Sequence, residues 1–177
     1  MDYPHLALIT GGSRSGKSAH ALELAEQAAD RQRVPAIFIA TAQALDDEMA
    51  ARIARHRAAR PARFRTIEEP VALIDALGRV EPGAVVVIDC VTLWLSNLIA
   101  RELTDEAVLS QAQQLARALS LARYSSLVVS GEVGSGLVPM EPLGRRFRDL
   151  LGLTNQLLAS AADQVILMVA GCPLQVK

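Results

Sequence analysis

The chain has 177 residues, 51% of them hydrophobic, and a formal net charge of -1. That length buries one sizeable core and leaves little for a second, so a single domain over residues 1–177 is expected. The near-neutral balance excludes a general attraction to nucleic acid or to an anionic membrane, and an aromatic content of 3% leaves little surface on which bases could stack.

Residues 6–10 are the first short apolar run, with the length of a buried strand. Directly after it stand Gly11, Gly12, Ser13, Arg14, Ser15, Gly16, Lys17 and Ser18, which fit the pattern Gly-x-x-x-x-Gly-Lys-Ser, and residues 18–29 follow with helical spacing. Strand, glycine-rich turn and helix in this order make a P-loop. The glycines let the backbone curl so that N–H groups converge on phosphate oxygens, and the helix end adds its positive dipole. Lys17 reaches the terminal phosphates, and the Ser18 hydroxyl is placed to ligate Mg2+. Lys17 and Lys177 are the only lysines of the chain, so an ammonium at position 17 goes against the chain's preference for arginine.

A second apolar run, 36–40, leads through Ala40, Thr41 and Ala42 into a helix predicted over 46–59. Asp46, Asp47 and Glu48 suit its positive N-terminal end. Arg52, His56 and Arg60 recur every fourth residue on one face, whereas Met49 and Ile53 fall on another that is expected to meet the core. Arg55, Arg57, Arg63 and Arg65 extend the segment into a basic stretch whose field suits a triphosphate. His56 has two readings on these residues alone. It is either an idle histidine on a solvated helix, or a nitrogen nucleophile that attacks an α-phosphate, expels pyrophosphate and carries the nucleotidyl group. His5 and His20 read as structural.

The third run, 84–88, ends on Asp89, a carboxylate that can hold Mg2+ opposite the P-loop and that could equally be a turn residue. Helices are predicted over 92–102 and 104–123, with Leu93, Trp94, Leu95 and Leu98 serving either the core or a subunit interface. A run at 127–130 opens into a Gly- and Pro-rich loop, followed by a helix over 143–162 and a last run at 165–169. Five strands alternating with helices give an α/β, P-loop NTPase-like fold, with a mostly parallel central sheet covered by helices. The segments GGSRSGKS, TAQALDD, DCVT and GEVGSGLVPMEP each follow a strand, so they should converge on the rim where such sheets bind ligands. Cys90 and Cys172 match no metal-ligand spacing, and no disulfide is expected. No apolar run approaches a bilayer span and no signal peptide is recognisable, so a cytoplasmic location is expected.

Taken in order, GGSRSGKS, IATAQALDDEMAARIARHRAARP, IDCVTLWLSNL, GEVGSGLVP and RRFRDLLGLTNQLLASAADQV resemble one enzyme family over essentially the whole chain. It is the bifunctional adenosylcobinamide kinase and adenosylcobinamide-phosphate guanylyltransferase family of cobalamin biosynthesis. The resemblance implies phosphorylation of adenosylcobinamide with ATP or GTP, then transfer of GMP from GTP to adenosylcobinamide phosphate, giving adenosylcobinamide-GDP. It implies that His56 is the guanylylated residue and that Lys17 assists catalysis. Ala40, Thr41, Ala42, Arg57, Ala58, Ala59, Arg60, Glu68 and Asp89 would complete the GTP site around residues 11–18, and the assembly would be a homotrimer.

Two stretches depart from the family pattern. Gly131 stands where the family usually has Asn, and Met140-Glu141-Pro142 where Glu-Asn-Arg is common. Against the bifunctional reading stands a P-loop kinase for another small molecule, with His56 idle. A GTP-dependent switch protein is disfavoured because neither lysine lies in an Asn-Lys-x-Asp setting.

Overall fold

The computed structural model describes residues 4–177. Among them, β1 (Leu6–Gly11), β2 (Ala36–Ala40), β3 (Phe64–Glu68), β4 (Val85–Asp89), β5 (Ser125–Val129), β6 (Gln164–Val169) and β7 (Cys172–Gln175) join in one sheet, in the order β3-β2-β4-β5-β1-β6-β7. Neighbours run parallel throughout, except that β7 returns antiparallel to β6. The helices are α1 (Lys17–Gln32), α2 (Asp47–Ala58), α3 (Leu73–Leu77), α4 (Val91–Ala100), α5 (Asp105–Ser120) and α6 (Pro142–Ala161).

The central strands are continuous apolar runs because both of their faces are covered. Val85, Val86, Val87 and Ile88 of β4 are all fully buried, and they alternate between two cores. On one face Leu8, Ile39, Val86, Ile88 and Val128 pack with residues of α3 to α6, among them Leu73, Trp94, Leu95, Leu115 and Leu150. On the other, Ile9, Phe38, Val85, Val87 and Met168 meet Ala21, Ala25, Ala28 and Ala29 of α1. Those alanines recur at helical spacing, and their small side chains let the α1 backbone lie close to the sheet. Trp94, Leu95 and Leu98 are interior, which overturns the interface reading for them, and the Trp94 indole N–H donates to the Val71 carbonyl at 2.8 Å.

The expected α/β architecture is present, with β3, α3 and β7 added to the predicted elements. β3 escaped notice because it is an edge strand that exposes Arg65, Thr66 and Glu68, so its sequence reads as a basic run. β7 is short, fully exposed, and carries Pro173, a residue that sheets tolerate at an edge. Met49 and Ile53 do not reach the core as expected. No residue of α2 is buried, because this helix crosses between two strands at one edge of the sheet. It is held by its own cap, the Asp46 carboxylate accepting the Met49 N–H at 2.7 Å.

Candidate active site

The segments expected to converge do so at the carboxyl ends of β1, β2, β4 and β5. The Thr41 N–H donates to Asp89 O at 3.2 Å, Glu132 N–H to Gly11 O at 2.9 Å, and Gly131 N–H to Thr92 Oγ1 at 2.6 Å. At the centre of this rim is the loop between β1 and α1. Gly11 adopts φ +145°, and a Cβ there would lie 2.5 Å from Met168 O, so no other residue fits. Gly16 caps α1 at φ +95°, which turns the chain into the helix and aims its first N–H groups at the loop centre. Ser15 is buried within the loop, while Gly12, Ser13 and Arg14 face solvent, Arg14 at φ +56°.

Lys17 arches back over the loop, its ammonium donating to Gly12 O at 2.6 Å and lying 3.4 Å from Ser15 Oγ. Burial lowers its pKa from the ordinary value, while Cys90 and Asp89 pull it up and Arg52 opposes them. Asp89 accepts a hydrogen bond from the Ser18 side chain, so the two residues expected to share a cation are in contact. Burial raises the Asp89 pKa, against the hydrogen bond from Ser18 and the charges of His56, Arg60 and Lys17. The neighbouring Cys90 thiol is pushed up to about 11 by its burial and by Asp89, which keeps it neutral and unreactive. Cys90 and Cys172 are both free thiols.

Thr41 acts as a clamp between β2 and β4. Its hydroxyl donates to Cys90 O at 2.7 Å and accepts Cys90 N–H at 2.8 Å, and its carbonyl accepts from the Asn97 amide at 2.9 Å. Every polar group of this buried residue is engaged in the fold, while Ala40 and Ala42 beside it are half-buried. Arg60 is stacked over the Phe38 ring at 3.5 Å and donates to Thr66 Oγ1 at 2.6 Å, and its buried Nε has no partner. Burial lowers its pKa, partly offset by Asp89, so this guanidinium belongs to the same electrostatic cluster as Lys17.

The α2 face predicted from the spacing of four does overlook the rim, since Arg52 acts on Lys17, and His56 and Arg60 act on Asp89. His56 itself is exposed. Arg57 forms an ion pair with Glu68 at the end of β3, with Ala58 and the C-cap Ala59 exposed beside it. The rest of the expected basic stretch disperses. Arg63 pairs with Asp30, at the far end of α1, and Arg65 pairs with Glu81, ahead of β4, at 2.8 Å. Both partners sit at the opposite end of the sheet, because Arg63 and Arg65 enter β3 from below while Arg57 and Arg60 precede its turn. His5 bonds Leu119 O through Nε2 at 3.2 Å, a structural contact as expected.

Several rim residues carry no motif that a single sequence could reveal. The Asn155 amide donates to Gly131 O at 3.0 Å, its oxygen accepts from Ser130 Oγ at 2.6 Å, and Glu132 follows at the surface. The turn between β6 and β7 braces the P-loop from its other side, Gly171 N–H donating to Ser15 O at 3.1 Å. These contacts join residues far apart in the chain, and only the glycines and the polar residue after an apolar run hinted at them.

A phosphate cradle with its lysine, a Ser18–Asp89 pair and an arginine-bearing helix, all at the carboxyl rim of a mostly parallel sheet, define a P-loop nucleotide-dependent phosphotransferase. The family model described as cobinamide kinase / cobinamide phosphate guanyltransferase matches residues 7–176, and the chain belongs to that family. It is 42% identical over 171 residues to the bifunctional adenosylcobalamin biosynthesis protein CobP of Pseudomonas aeruginosa, covering 96% of each chain. The CobU proteins of Escherichia coli and Salmonella typhimurium, which bear the same bifunctional description, are 38% and 39% identical, each alignment covering 97% of this chain and 99% of the relative.

Proposed function

We propose that the chain phosphorylates adenosylcobinamide with ATP or GTP at the P-loop, and then moves GMP from GTP through His56 to adenosylcobinamide phosphate. The observation that carries this reading is the placement of α2, whose His56 acts electrostatically on Asp89 across the rim. A simple kinase requires no nucleophile there. In the first reaction the backbone N–H groups of residues 11–18 hold the phosphates and Lys17 bears on the transferred group. In the second, an imidazole nitrogen of His56 attacks the α-phosphorus of GTP and pyrophosphate leaves; a phosphate oxygen of the corrinoid then displaces His56. Arg60, fixed by Phe38, and Arg57, held by Glu68, flank the charge that develops, while Thr41 keeps the ends of β2 and β4 together beside Ala40 and Ala42.

Ser18 and Asp89 offer adjacent hard oxygen donors, and the buried Asp89 carboxylate gains from a divalent charge, so they fit Mg2+ completed by phosphate and water. Bound there, Mg2+ would neutralise phosphate charge. The chain works, in this reading, as one domain in the cytoplasm. A single sheet covered on both faces supports the first statement, and the absence of any helix long and apolar enough to cross a membrane, among the described residues, accords with the second. A homotrimer accords with the exposed Leu137 and Met140, at 97% and 91% exposure, and light scattering at three times the chain mass of 18.9 kDa would bear it out.

The deciding experiment is incubation of the wild type and a His56→Ala variant with α-labelled GTP and Mg2+, followed by denaturation. Label that stays on the wild type, resists alkali, is released by acid and never appears on the variant identifies a phosphoramidate on His56. If both proteins bind GTP and neither takes label, the chain is a kinase only.

A further inference from the structure

Beside the phosphate cradle, the carboxylates at the ends of the neighbouring strands are already committed. Asp89 is held by Ser18, Glu68 is paired with Arg57, and Glu69 accepts the Val71 and Ala72 N–H groups. Glu132 stands apart from them. Its backbone N–H donates to Gly11 O at 2.9 Å, which seats it against the first glycine of the phosphate cradle. The residues ahead of it are pinned by Thr92 and Asn155, so its backbone position at the rim is fixed while the residue itself stays half-buried. Oε1 accepts the Gly134 N–H at 2.7 Å; among the described residues nothing else bonds the carboxylate and no cation pairs with it.

We infer that Glu132 is the general base of the kinase step, an inference that rests on the P-loop chemistry proposed above. As the acceptor hydroxyl oxygen bonds to the γ-phosphorus, the O–H bond breaks and its proton passes to the free Glu132 oxygen. The bond from the γ-phosphorus to its bridging oxygen breaks, the electron pair leaves with the nucleoside diphosphate, and Glu132 later releases the proton to solvent. The second reaction has no such requirement. Its nucleophiles are an imidazole nitrogen and a phosphate oxygen already ionised at neutral pH, so Glu132 serves one activity and not the other.

The test is Glu132→Gln, which keeps a carbonyl oxygen to accept the Gly134 N–H and removes the negative charge, and with it the ability to take a proton. Kinase kcat should fall by about 10²–10⁴-fold with the nucleotide KM changed by no more than about twofold. Labelling of His56 by GTP, and passage of that label to supplied adenosylcobinamide phosphate, should keep the wild-type rates. Glu132→Asp, which retains a carboxylate, should recover roughly tenfold or more of the lost kcat. A kinase rate within about threefold of wild type in the Gln variant, or no better recovery by Asp than by Gln, overturns the role. So does a parallel loss of both reactions, which would make Glu132 a brace for the loop. If the wild type takes no label, the guanylyl-transfer reading falls, yet the kinase comparison still decides Glu132.

Discussion

Position 131 shows how a single contact can hold a residue type in place. A Cβ added at Gly131 would lie 2.9 Å from Thr92 Oγ1 and 3.4 Å from Thr92 Cγ2, and that same hydroxyl accepts the Gly131 N–H. An Asn at this position cannot be accommodated unless Thr92 shifts. Gly131→Asn should therefore cost about 1–3 kcal/mol in urea unfolding. In a Thr92→Ala background the cost should be smaller by roughly 1 kcal/mol, and strict additivity of the two changes would refute the clash. Tyr124 supplies a pH-dependent case. Burial pushes its phenol from 10.0 up to about 12, so the folded state resists ionisation more than the unfolded chain does. Stability tied to this group is intact below pH 10 and is lost as pH rises from there to about 12. Urea midpoints measured across that interval should fall less steeply for Tyr124→Phe, and equal slopes would assign the loss to other groups. Lys17 and Asp89 were legible because each stands at a fixed offset from a strand end. Thr41 was legible only as part of a resemblance, and its work as a clamp depends on Cys90 and Asn97, partners that no spacing announces.

Among the elements, α2 stands apart because it carries the candidate nucleophile and has no fully buried residue, Met49 and Ile53 being only half-buried. Isolated helices of about 12 residues are marginal in water, so α2 draws its order from its cap and from a few rim contacts. Such an element opens at low free energy without disturbing the core. That freedom suits the chemistry, since γ-transfer and α-transfer bring different phosphorus atoms into line with their attackers. Replacing the cap by Asp46→Ala should cost about 0.5–2 kcal/mol of helix stability. The expected result is faster amide exchange confined to α2 and slower labelling of His56, with the global unfolding midpoint unchanged. A lowered midpoint would mean that α2 is integral to the core after all. The helix was visible in the sequence from its acidic first turn and its spacing of four. The fate of its neighbours was not, because Arg63 and Arg65 look continuous with Arg57 although the chain has by then descended to the amino end of the sheet, where β3 begins.

For the molecule as a whole, the fold class was legible because buried parallel strands are continuous apolar runs, each followed by a helix. The strand order was not, since it depends on which runs pair, and β3 and β7 at the two edges were hidden by their exposure. What the topology then does is bring one phosphate cradle, and one only among the described residues, to the rim shared by both proposed reactions. The kinase and guanylyltransferase activities must in that case exclude each other in time on any one subunit. An ATP analogue with an imido bridge between its β- and γ-phosphates should occupy residues 11–18 without transferring phosphate. Initial rates of His56 labelling, taken over a range of GTP at several analogue concentrations, should then show an unchanged limiting rate and a rising apparent KM. Inhibition that lowers the limiting rate instead would require the analogue and GTP to be bound together, and hence a second nucleotide site away from the P-loop.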